Sequence, residues 1–276
     1  MAGMLYLVPT PIGNLGDISQ RCRETLEQAD FIAAEDTRVS LKLLNHLNIK
    51  KPLVSYYEHN RAESGPKILE RILAGETCAL VSDAGSPAIS DPGEDLVALC
   101  AKAGITVTAI PGPCAVITAL SISGLPTGRF TFEGFLSTNK KSRMEHLQSL
   151  DKEQRTMIFY EAPHKLCNTL QDLCGAFGSE RRISLCRELT KLHEEVIRTT
   201  LQGAIDYYQE QAPRGEYVLV VEGAAPPPIT EVTLEDALQL VAARMDEGLS
   251  RKDAVKQVAN ETGFAKNALY DAAVRS

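Results

Sequence analysis

Over the first 125 or so residues, short apolar runs alternate with stretches of helical character. The runs are MLYLV (4–8), FIAAE (31–35), CALVS (78–82) and ITVTAI (105–110); helices are expected from about Ile18 and over 39–47, about 66–74 and 94–103. Strands separated by helices at this interval predict parallel β-α units and an α/β sheet. From 126 to 224 the pattern changes to FTFEGFL (130–136), TMIFYEA (156–162), RRISLCREL (181–189), VIRTTL (196–201) and YVLVVEG (217–223), with one helix near 163–174. More strand than helix, and frequent β-branched residues, predict a mixed α+β domain. GAAPPPIT (223–230) continues neither kind of element and reads as a linker. Beyond it the chain is helical, with Thr233 and Ser250 as N-caps and Gly263 as a break. The expected organisation is an N-terminal domain over 1–125, a second over 126–224 and a small helical domain over 231–276.

Composition fits this outline and excludes several function classes. A chain of 276 residues with 44% hydrophobic and 24% charged residues supports two or three folded domains. Seven cysteines without a C-x-x-C pair, and histidines 46, 59, 146, 164 and 193 without ligand spacing, give neither a disulfide framework nor a metal site. No basic leader opens the chain and no run reaches the eighteen or so apolar residues of a membrane span, so a soluble, cytoplasmic protein in a reducing compartment is expected. A net charge of −7 argues against indiscriminate nucleic-acid binding, which depends on neutralising phosphates, and leaves room only for a local basic surface.

Three loops that follow strands are built from small and turn-forming residues: PTPIGNLGD (9–17), SDAGSPAISDPG (82–93) and PGPCA (111–115). In α/β sheets ligands sit at such loops, so a shared pocket is expected. In the first, Asp17 with Gln20 fits a capping box. It is not G-x-G-x-x-G, and the chain has no G-K-[ST], so the dinucleotide and P-loop signatures are absent. In the second, Asp83 at the end of a buried strand is placed to accept hydrogen bonds from a ligand, while Asp91 suits an N-cap of the next helix. In the third, Gly112 precedes a helix start, where free amides attract a carboxylate. A ligand with a cationic centre, a carboxylate, hydroxyls and no phosphate suits the three together, and S-adenosylmethionine has those features.

The succession VPTPIGNLGDIS, AAEDTR (33–38), LVSDAGSPAISDPG, PGPCAVITALSISGLP (111–126), EGFL (133–136), FYEAPHKL (159–166), RELTK (187–191) and KNALY (266–270) resembles the tetrapyrrole methylase superfamily across nearly the whole chain. Within it the chain looks like the ribosomal RNA small subunit methyltransferase I group, which methylates a cytidine ribose 2′-oxygen in 16S rRNA. Corrin-methylating relatives carry a G-x-G-P-G-D-type first loop and a G-D-P-type second loop, so TPIGNLGD and SDAGSPAISDPG favour RNA over a tetrapyrrole. The resemblance implies two α/β domains with S-adenosylmethionine in the cleft between them, in a homodimer. It further implies that Pro11 and Gly13, then Ser82, Asp83, Ala84, Gly85 and Ser86, then Pro111, Gly112, Pro113 and Ala115 line the cofactor site. Tyr160 and Ala162 of the second domain are expected to close over it.

Transfer to a ribose hydroxyl is an in-line displacement in which positioning supplies most of the acceleration and a base takes the hydroxyl proton, without a metal. Candidates lie in AAEDTR and RELTK, with His59 third. Glu35 and Asp36 follow a strand, and Arg38 pairs with one of them or holds a phosphate; the plainer reading is a salt bridge capping the next helix. Glu188 and Lys191 carry the same ambiguity, and Lys191 holds phosphate or, if desolvated, acts as the base. For gripping RNA, NKKSR (139–143) places three cations in an expected loop, and Arg181, Arg182 and Arg187 add more. The tail resembles a helix-turn-helix whose second helix starts near Ala265, and packing or dimerisation accounts for such a pair as readily as nucleic-acid contact. Two rival functions stay open at this point: a methylase of a tetrapyrrole or other small molecule, and a nucleic-acid-binding regulator with a vestigial cofactor site.

Overall fold

The computed structural model describes residues 3–226 and 233–275. Its first sheet is built from β1 (Met4–Leu7), α1 (Gln20–Gln28), β2 (Phe31–Ala34), α2 (Thr37–His46), β3 (Leu53–Ser55), α3 (Arg61–Leu73), β4 (Cys78–Val81), α4 (Glu94–Lys102) and β5 (Thr106–Ala109). The strands run parallel in the order β3-β2-β4-β1-β5. FIAA and CALV are buried at every position, as strands covered by helices on both faces must be. Because β4, β1 and β5 are neighbours, the loops leaving their carboxyl ends emerge side by side. That adjacency positions the site.

Three details differ from expectation. Asp17 does not cap α1; residues 15–17 form a 3-10 turn capped by Asn14, and the Ser19 hydroxyl accepts the Cys22 N–H at 3.1 Å. Strand β3 is too short to show as an apolar run. Helix α3 begins at Arg61 rather than near 66, with Pro66 inside it, so the Gly65-Pro66 pair is not a break.

The second sheet contains β6 (Phe130–Phe135), β7 (Thr156–Glu161), β8 (Arg182–Arg187), β9 (Glu195–Thr200) and β10 (Tyr217–Val221), in the order β6-β7-β10-β8-β9. Only β6 and β7 pair in parallel; the other pairs are antiparallel. Side chains alternate between two cores, as a pleated strand requires. Met157, Phe159, Leu219 and Val221 face α6 (Lys140–Ser149), α7 (Leu166–Phe177) and α8 (Leu201–Glu210), whereas Ile158, Val218 and Val220 face α5 (Ala115–Ile122). Helix α5 precedes the expected boundary at 125 and 126, yet it packs on this second sheet. Residues up to Ala224 accordingly form one compact unit holding both sheets.

Helix α6 overturns the expectation of a basic loop at 139–143. Asn139 caps it, accepting the Lys141 and Ser142 N–H groups at 3.0 and 3.2 Å. Arg143 is buried: its Nε donates to Asp172 Oδ2 at 2.5 Å and its Nη2 to the Thr169 hydroxyl at 2.8 Å, and that hydroxyl donates to Glu161. A guanidinium used this way is not available to RNA. Arg143→Ala should cost about 3 kcal/mol, because it leaves Asp172 without its cation and removes the buried donor to Thr169. Urea denaturation measures this, and a loss under about 0.5 kcal/mol, the range of an ordinary surface substitution, contradicts it.

Residues 225–276 form a second compact unit. Helices α9 (Leu234–Asp246), α10 (Arg251–Thr262) and α11 (Lys266–Arg275) share a core of Ala237, Val241, Val255, Val258 and Leu269. Thr233 and Asp236 form a capping box, Ser250 caps α10, and Gly263 ends it in the left-handed conformation at φ 77°. Positions 227–230 of the expected linker lie outside the described residues.

Candidate active site

The three loops are bonded directly to one another. Thr10 N–H donates to Gly85 O at 2.9 Å and Gly85 N–H to Thr10 O at 3.0 Å, joining the first loop to the second. The Thr10 hydroxyl adds a bond to Ser82 O at 3.1 Å. Ser86 Oγ donates to Pro113 O at 3.0 Å, joining the second loop to the third. First and third loops pack so closely that a Cβ on Gly112 would fall 2.8 Å from Pro9 Cβ. Small residues are required here because backbones meet.

The joined loops form one side of a cavity of about 510 Å³, within the usual range for small-molecule sites. Ile12, Ala84, Gly85, Ser86, Cys114 and Ala115 line that side, and Tyr160, Ala162, His164 and Val218 line the other, from the second sheet. Six residues expected at the cofactor site lie on the wall: Ala84, Gly85, Ser86, Ala115, Tyr160 and Ala162. The other seven are outside it. Pro11 and Gly13 flank Ile12, and Gly13 is packed under Lys191, where a Cβ would lie 2.4 Å from Lys191 Cγ. Ser82 is buried behind the wall, and Pro111, Gly112 and Pro113 carry the third loop past Pro9. Asp83 accepts the Asp36 N–H at 3.1 Å instead of facing the cavity.

Asp91 is the acidic group that reaches the cavity wall from the second loop. It does not cap α4, whose N-cap is Gly93. Ala88 and Ser90 adopt left-handed backbone conformations, at φ 67° and 68°, and the turn they make carries Asp91 inward. Glu188 and Thr190, across the cavity, are left-handed too, at φ 51° and 66°. Among the described residues, four of the five such non-glycine positions thus flank one cavity, and strain of this kind gathers at functional sites. Burial, then the negative charge of Glu35, push the Asp91 carboxyl up to about 6 against the pull of a hydrogen bond from Ser82. Burial, then Asp83, also raise Glu35.

The remaining candidates are held in other ways. Asp36 caps α2, accepting the Arg38 N–H at 2.8 Å, and its carboxylate takes three further bonds from the Arg38 guanidinium at 3.0, 3.2 and 2.6 Å. The Arg38 side-chain hydrogen bond holds Asp36 down at about 2, and Arg38 is 86% exposed. This is the structural salt bridge, not a base and its partner. Lys191 lines the cavity, with its Nζ 2.8 Å from Glu216 and 3.0 Å from Glu188. Burial alone would lower its pKa, but the bonds to Glu216 and Glu188 outweigh it and the net shift is upward. Lys191 therefore keeps its proton and is unsuited to act as a base. His59 is exposed, edge-on to Tyr57. Arg182 and Arg187 pair with Glu222 and Glu195, and Arg181 donates to Glu222 O at 3.1 Å, so much of the expected basic surface is neutralised.

The site fits S-adenosylmethionine by the chemistry of its walls. Asp91 on the wall, with the carboxylates of Glu35 and Asp83 near enough to act on it, suits a sulfonium better than a phosphate, while the small-residue backbone around Ala84 to Ser86 admits close approach. Residues 4–205 match the family described as Tetrapyrrole (Corrin/Porphyrin) Methylases, and 231–276 match the RsmI C-terminal HTH domain. Ribosomal RNA small subunit methyltransferase I of Synechocystis sp. is 52% identical over 97% of this chain and 96% of its own length. Its namesake in Halalkalibacterium halodurans is 47% identical over 98% of this chain and 94% of its own. Uroporphyrin-III C-methyl transferase from Thermus thermophilus, solved with S-adenyl homocysteine, shares the fold at TM-score 0.55 and 16% identity, covering 79% of this chain and 97% of that one. The fold, the cavity and these likenesses together show that the chain belongs to the tetrapyrrole methylase family and, within it, to the ribosomal RNA small subunit methyltransferase I group.

Proposed function

We propose that this chain transfers the methyl group of S-adenosylmethionine to the ribose 2′-oxygen of a cytidine in 16S rRNA of the small ribosomal subunit. The observation that carries the reading is the cavity, with Asp91 on its wall, where three bonded strand-end loops meet Tyr160 of the second sheet. When bound, S-adenosylmethionine supplies an electrophilic methyl group on a positively charged sulfur. Ala84, Gly85, Ser86, Ala115, Tyr160 and Ala162 hold it, with Ile12 and Cys114 beside them.

Asp91 takes the proton. A ribose hydroxyl is a weak nucleophile until it is deprotonated, and Asp91 presents to the cavity a carboxyl raised to about 6, close to the working pH. With the cofactor held by those residues, Asp91 Oδ would accept the hydroxyl proton, freeing the ribose oxygen to receive the methyl group. Glu35 acts through Asp91 by keeping its proton affinity high. Lys191 stays charged at the cavity wall, paired with Glu188 and Glu216, and the Asp36–Arg38 pair fixes the start of α2. Homodimerisation and a cytoplasmic location belong to the same proposal, and light scattering at twice 30.0 kDa is the expected result for a dimer.

The test is incubation with radiolabelled S-adenosylmethionine and small subunits from cells lacking the gene, beside free precorrin-type tetrapyrroles. Label in RNA, resistant to alkali at one phosphodiester, is expected. Label in the tetrapyrrole alone defeats the proposal.

A further inference from the structure

Strand β6 lies at the edge of the second sheet, and its pairing with β7 shifts register between Phe132 and Gly134. In a regular strand, residues 132 and 135 point to opposite faces. The extra residue, with Gly134 at φ +64°, turns Phe135 onto the face of Phe132, and both rings meet Tyr160, at centroid distances of 5.0 and 5.4 Å. A bulge beside a site commonly re-aims one side chain in this way. Here the re-aimed ring lines the cavity and is 60% exposed. Neither the core nor the Tyr160 contact requires a phenyl ring so open to water.

From this geometry we infer that the free face of Phe135 is a stacking platform for the base of the nucleotide whose ribose is methylated. The inference rests on the function proposed above and extends it to substrate recognition. A ribose 2′-carbon is bonded to the carbon that carries the base, so a 2′-oxygen inside the cavity places its base at the cavity wall or mouth. Aromatic faces hold splayed-out bases in single-stranded RNA. Lys191 and Glu216, bonded to one another at 2.8 Å, line the same cavity. They offer a donor and an acceptor to the polar edge of a base, which an apolar occupant would not use.

Kinetics on small subunits from cells lacking the gene, at saturating S-adenosylmethionine, test this with Phe135→Ala, Phe135→Leu and Phe135→Tyr. Alanine and leucine should raise KM for subunits about tenfold to a hundredfold, while tyrosine, which keeps a π-face, stays near the parent. Calorimetry without RNA should give the same affinity for S-adenosylmethionine in all four proteins. An unchanged KM for alanine overturns the inference. So does a matching loss of S-adenosylmethionine affinity, which would assign the ring to the cofactor's adenine. A weakened fold in the alanine variant leaves leucine against tyrosine as the decisive comparison. If the parent itself methylates no subunits, the functional proposal fails first and this inference with it.

Discussion

Asp91→Asn is expected to lower kcat about a hundredfold or more and, because it also removes the carboxylate that faces the sulfonium, to weaken S-adenosylmethionine binding by a smaller factor. Asparagine keeps the shape and the Ser82 contact but cannot accept a proton, and general-base catalysis contributes roughly 10²–10⁴ in rate. The pH dependence carries the sign. Asp91 works ionised, and its carboxyl is raised to about 6, so kcat/KM for S-adenosylmethionine should rise with pH through about 6 and then level off. That limb reports the enzyme before the cofactor binds. In kcat it should move to lower pH, because a bound sulfonium favours the carboxylate. Glu35→Gln removes the neighbouring negative charge and should move the limb to lower pH in both. An Asp91→Asn enzyme that keeps its rate and its acid limb assigns the proton to another group.

The second large effect concerns the joint between loops. Gly85 sits at φ +90°, donates and accepts in the bridge to Thr10, and would place a Cβ 3.3 Å from Ile12 Cγ2 on the cavity wall. A left-handed conformation costs an L-residue roughly 1–2 kcal/mol, and a β-branched side chain also meets Ile12. Gly85→Val should therefore leave a folded protein with a modestly lower Tm and weaken S-adenosylmethionine binding at least a hundredfold by calorimetry. Gly128→Val, where a Cβ meets nothing within 4 Å, is the matched control and should bind as the parent does. Parent-like affinity in the Gly85 variant would remove the second loop from the cofactor site.

The loops were legible in the sequence because their signal is local. Small residues directly after apolar runs mark places where backbone meets backbone, and the Thr10–Gly85 and Ser86–Pro113 bonds are the physical form of that signal. Asp91 was not legible as a site residue. Its direction depends on left-handed turns at Ala88 and Ser90, neither of them glycine, and its environment on Glu35, distant in sequence. Lys191 looked like a candidate base because its two carboxylate partners include Glu216, from a different strand end. Helix α6 read as a basic loop because a buried arginine occupies a position where an apolar residue would have shown the helical period. Phe135 was visible as a strand residue, but only the register shift at Gly134 shows which face it takes.

The most direct test of the account is a crystal structure with S-adenosylmethionine bound. The account predicts the molecule between the 82–93 and 111–115 loops and Tyr160, its sulfonium nearer to Asp91 than to Lys191. A molecule bound elsewhere, or one in this cavity with its sulfonium against Lys191 and away from Asp91, would contradict it.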